Sequence, residues 1–73
     1  MAITVYISDG ELRSLKENGI CAVVAFPNAL SVDPAIGEKW YGESPQGKLL
    51  LKLIGHQNRD NGEVVLIFCP AVA

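Results

Sequence analysis

Residues 48–69 read KLLLKLIGHQNRDNGEVVLIFC, and this stretch decides the fold. Leu49, Leu51 and Leu53 alternate with Lys48, Leu50, Lys52, Ile54 and His56. A period of two is the mark of a strand with one face turned to a core. Residues 63–69 form a second run, rich in β-branched and aromatic side chains, which also suits a strand. Between them, Asn58-Arg59-Asp60-Asn61-Gly62 ends in Asn-Gly, the strongest short signal for a tight hairpin turn. The pattern predicts an antiparallel hairpin of strands 48–56 and 63–69, with Gly62 at positive φ.

Working outward, Ile3-Thr4-Val5-Tyr6-Ile7 has strand composition. Ser8 followed three residues on by Glu11 has the spacing of a capping box, and Gly19 suits a helix stop. A short helix is expected over 9–18, with Leu12 and Leu15 as its only apolar stripe. Residues 20–26, ICAVVAF, are unbroken apolar sequence between Gly19 and Pro27 and read as a strand apolar on both faces. Residues 27–47 carry three prolines and three glycines and read as irregular, with a short strand favoured at 38–42. The expected architecture is one α+β domain over 1–73. It has a small mixed or mostly antiparallel sheet, in β-α-β-β-β order beside that short strand, and one short helix.

Composition bears on association. The chain has 73 residues, is 49% hydrophobic and only 19% charged, where soluble domains average about 25% charged. Strands 20–26 and 63–69 present apolar side chains to both faces, and one helix with two leucines covers little of that. A homo-oligomer is therefore expected, a dimer or higher, joined by apolar strand faces. Other supports are few. Cys21 and Cys69 could form a bridge only if their strands are neighbours, and otherwise act as small hydrophobes. His56 is the sole histidine and no zinc spacing occurs, so no metal and no cofactor are expected.

A net charge of −2 argues against a phosphate-tracking surface, so nucleic acid is not an expected partner. The start Met1-Ala2-Ile3-Thr4 lacks the basic region of a signal peptide, and no apolar run nears the ~20 residues of a membrane helix. A cytoplasmic location, with no membrane partner, is the expectation.

Two groups of side chains are candidate ligand contacts. Lys39-Trp40-Tyr41 would offer an aromatic platform with a cation beside it, unless Trp40 instead fills the core. His56, Asn58 and Arg59 close the third strong strand and could hold a phosphate or carboxylate, or simply form a polar hairpin end. No pair of carboxylates is spaced as an acid and a base, and neither cysteine has a basic neighbour in sequence. No phosphate loop or dinucleotide fingerprint occurs. Catalysis is not expected.

The order of pieces carries a resemblance. Ile3–Ile7, Glu11–Gly19, Ile20–Phe26, the turn and aromatic strand Ile36-Gly37-Glu38-Lys39-Trp40-Tyr41, then Lys48–His56 with Glu63–Cys69 follow one another along most of the chain. This layout resembles the PUA-like fold, in particular the ASCH group and its short phage-borne relatives. The resemblance implies a nucleic-acid-binding module or a hydrolase. The family's Gly-x-Lys signature is replaced here by Asn18-Gly19-Ile20-Cys21-Ala22, so those activities do not carry over with the layout.

The resulting expectation is a small non-catalytic binding or inhibitor protein of phage or mobile-element accessory type, acting as a homo-oligomer. It would sequester a nucleotide-like ligand or block a host protein. Its pocket would lie between subunits, bordered by 38–43 and 56–60. A PUA-like nucleic-acid module and a ligand-free assembly subunit are the alternatives.

Overall fold

The computed structural model describes residues 3–25 and 35–71. Expectations resting on Phe26, Pro27, Asp33, Pro34, Val72 and Ala73 lie outside the described residues. The elements are β1 (Ile3–Tyr6), α1 (Asp9–Asn18), β2 (Cys21–Ala25), β3 (Lys39–Ser44), β4 (Gly47–Asn58) and β5 (Val64–Pro70).

The expected hairpin is present. β4 and β5 pair antiparallel, and Gly62 has φ +85°. Arg59 N–H donates to the Glu63 carbonyl at 2.8 Å and closes the turn. The helix also forms as its caps dictate. Glu11 N–H donates to Ser8 Oγ while Glu11 Oε1 accepts from Ser8 N–H. These two bonds satisfy amides that the first helical turn leaves without carbonyl partners. Gly19 ends the helix at φ 76°, donating its N–H to the Leu15 carbonyl, a conformation that suits a residue without Cβ.

The α+β class, the mixed sheet and the single short helix agree with the structure, but the β-α-β-β-β order needs correction. Among the described residues the sheet has five strands in the order β1-β3-β4-β5-β2. β3 is a full six-residue strand, longer than the short one read at 38–42. It is made possible by a two-residue turn at Pro45-Gln46, where Ser44 Oγ donates to the Gly47 carbonyl and accepts from Gln46 N–H. β1 pairs parallel to β3, and every other neighbour is antiparallel. β1 and β2, joined by α1, are therefore the outer two of the described strands.

A second correction concerns β4. Its alternation breaks at Ile54, where the register with β5 shifts between Leu53 and Gly55. Such a bulge adds one residue to one strand and turns everything beyond it to the other face. His56 consequently pairs with Leu66, on the core side, rather than sharing a face with Leu50 and Lys52.

The core lies between α1 and one face of the sheet. Leu12 and Leu15 of the helix join Ile7, Val23, Trp40, Leu51, Leu53, Leu66 and Phe68. Trp40 and Phe68 meet edge to face with ring centroids 5.2 Å apart, an arrangement aromatic quadrupoles favour.

Candidate functional site

The sheet face opposite α1 is the candidate site, and strand register fixes what stands on it. Trp40 and Gly42 face the core, so Lys39, Tyr41 and Glu43 face outward. Register then places Thr4 beside Tyr41, Tyr6 beside Glu43, Leu50 beside Tyr41, and Lys52 beside Lys39. On the far side, Ile67 pairs with Ala22 and Val65 with Val24 on the same outward face.

This face divides into two halves of different chemistry. β2 and β5 contain no charged residue. Val24 stays 48% exposed and Ile20 just before β2 is exposed as well, while Val65 of β5 is buried. The half formed by β1, β3 and β4 instead carries Tyr6, at 65% exposure, Tyr41, at 44%, and three lysines. Lys39 and Lys52 stand directly opposite each other. Like charges in that relation repel and destabilise a sheet. Among the described residues the only ion pair is a long one, 3.8 Å between Lys48 and Glu43, and both partners are exposed. A pair of that kind contributes little.

The six sequence-derived contacts do not converge on one surface. Lys39 and Tyr41 share the outward face. Trp40 is 1% exposed and belongs to the core. His56 and Asn58 register with Leu66 and Val64 on the other side of the sheet. Arg59 lies in the hairpin turn, where it lines a shallow depression with Gln57, Asn58, Asp60 and Asn61. Tyr6, Thr4 and Lys52, which no sequence signal singles out, stand on the same outward face. Their place beside Tyr41 and Lys39 follows from a parallel pairing and a turn register that period alone does not reveal.

Buried groups complete the picture. Trp40 Nε1 and one carboxylate oxygen of Glu38 are buried without a hydrogen-bond partner among the described residues. Cys21 and Cys69 are both unbridged although their strands are neighbours. Cys21 pairs in register with Phe68 in the core, so Cys69, the next residue, points to the outward face. Burial, reinforced by the Glu11 carboxylate, pushes the Cys21 thiol up from 9.0 to about 11. The unfolded chain therefore ionises first as pH rises, and stability present below pH 9 declines toward pH 11. The decline attributable to this thiol is on the order of 2 kcal/mol. Urea denaturation at mildly and strongly alkaline pH should show a smaller drop for Cys21→Ala than for the native chain. An equal drop would contradict this account.

No three His, Cys, Asp or Glu side chains come together among the described residues. No helix among them is long and apolar enough to cross a membrane. Comparisons with protein-family models, with curated proteins and with solved structures found no match.

Proposed function

We propose that this chain is a small non-catalytic binding protein that works as a homo-oligomer, self-associating through the charge-free β2–β5 half of the outward face. The observation that carries this reading is the make-up of β2. Among the described strands it is the outer one on that side, it reads Cys-Ala-Val-Val-Ala, and it has none of the lysines, prolines or inward charges that guard exposed sheet edges. Of its outward neighbours on β5, Ile67 is half-buried and adds to the apolar surface, while Val65 is already buried.

A second copy of the same surface is the simplest cover. Two-fold contacts are the commonest closed solution, and they place each apolar patch against its own image. The aromatic and lysine-bearing half stays outside that contact and is available to a ligand. Blocking a host protein would use the same exposed half.

The test is mass in solution. Light scattering at micromolar concentration should report about twice the 7.8 kDa chain, or a higher multiple. Val24→Glu, at a position already 48% exposed, should leave the fold intact and shift the mass to that of a monomer. A native chain that runs as a monomer would overturn the reading.

A further inference from the structure

We infer that the half of the outward face formed by β1, β3 and β4 binds single-stranded nucleic acid. This rests on the binding-protein reading above and names its ligand.

Charge is the first argument. The chain has 6 lysines and arginines against 8 acids, yet among the described residues Lys39, Lys48 and Lys52 share this surface with Glu43 alone. Most of the acids stand elsewhere. Asp9, Glu11 and Glu17 are on α1, and Asp60 and Glu63 are at the β4–β5 turn. The surface is thus locally cationic on an acidic molecule. Two lysines in register on an exposed face also repel each other, and a phosphate relieves that by accepting hydrogen bonds from both ammonium groups.

Shape is the second argument. Tyr41 stands two residues along β3 from Lys39, and Tyr6 is its diagonal neighbour across β1. Two rings at neighbouring positions on adjacent strands let bases stack on successive rings while the backbone passes the lysines. Aromatic side chains with interleaved cations are the usual platform for single strands. A mononucleotide gains most from a concave pocket. These features are spread over three strands of a sheet face and suit several linked nucleotides better.

Fluorescence anisotropy with a labelled oligothymidylate of about ten nucleotides, a length typical of such sites, tests the inference on the full chain. Binding is expected at low salt. The logarithm of affinity should fall with log salt at a slope near −2, about −0.7 for each of three lysine contacts. Tyr41→Ala should weaken binding about tenfold, within the range for loss of one stacked base. The K39Q/K52Q double variant should weaken it at least as much, with a melting temperature equal to or above the native one. Lys16→Gln removes a cation from the helix and should change little. No binding at low salt, equal effects of K39Q/K52Q and Lys16→Gln, or equal affinity for thymidine monophosphate would each overturn the inference. Light scattering on the same samples reports self-association separately, so a dimer that ignores the oligonucleotide sinks this inference and leaves the oligomer standing.

Discussion

Trp40→Ala is expected to unfold the domain at room temperature. Trp40 is the largest of the fully buried side chains and bridges β3 to Phe68 on β5. Truncating a buried Trp costs about 3–5 kcal/mol, from lost transfer energy and the cavity left behind. A domain of this size has a total stability of only about 4–10 kcal/mol. The same residue is the chain's single tryptophan, so its emission reports on its own environment. The native chain should emit in the blue and not respond to nucleotides, whatever binds on the opposite face. Trp40→Phe is the informative companion. It keeps most of the ring contact and removes an indole N–H that has no partner among the described residues. Its cost should be well below that of alanine. Urea denaturation followed by circular dichroism measures both. A folded Trp40→Ala of near-native stability would contradict the placement of this ring in the core.

Gly42→Val should destabilise by about 3 kcal/mol, at the upper end of the cost of overpacking. Gly42 lies in the middle of β3 with its α-carbon facing the core. A Cβ there would meet Leu51 Cδ1 at 2.9 Å, Ile7 Cγ1 at 3.0 Å and Leu49 Cδ2 at 3.1 Å. Two of those atoms end leucine side chains that can turn aside, so Gly42→Ala should cost only about 1 kcal/mol. The two further methyls of valine need more room than those turns give, because Ile7, met at Cγ1 rather than at a chain end, is 0% exposed. The expected signature is a lower urea midpoint with the slope unchanged. Equal stabilities of the alanine and valine variants would show that β1 and β4 yield more than this packing implies.

What could be read from sequence was whatever is set by neighbours along the chain. The capping box at Ser8 and Glu11, the Gly19 stop and the Asn61-Gly62 turn act within a few residues, and each appears where expected. The hydrophobic alternation of 49–53 held for the same reason. The Ile54 bulge did not show, because one inserted residue looks like ordinary alternation until a partner strand supplies the register. The parallel pairing of β1 with β3 joins residues more than thirty positions apart and leaves no local signature. The surface proposed to bind nucleic acid was hidden for the same cause. Lys39 and Lys52 are thirteen positions apart and become neighbours only through the register of the Pro45-Gln46 turn. Net charge, an average over all faces, conceals a cationic surface whose counterweights stand on the helix and at the far turn.

The strand order has a consequence for the way a ribosome delivers this chain. β3, β4 and β5 form a continuous antiparallel meander that can pair as it emerges, each strand against the one just made. The two outer strands cannot. β2 is complete at Ala25, yet its only partner among the described strands ends at Pro70. At roughly 5–20 residues per second, that interval lasts about 2–9 s. During it a bare Cys-Ala-Val-Val-Ala segment, with no charge to discourage other partners, is held only by the helix before it. Synthesis rate thus bears on yield, because it sets how long β2 waits for its own β5.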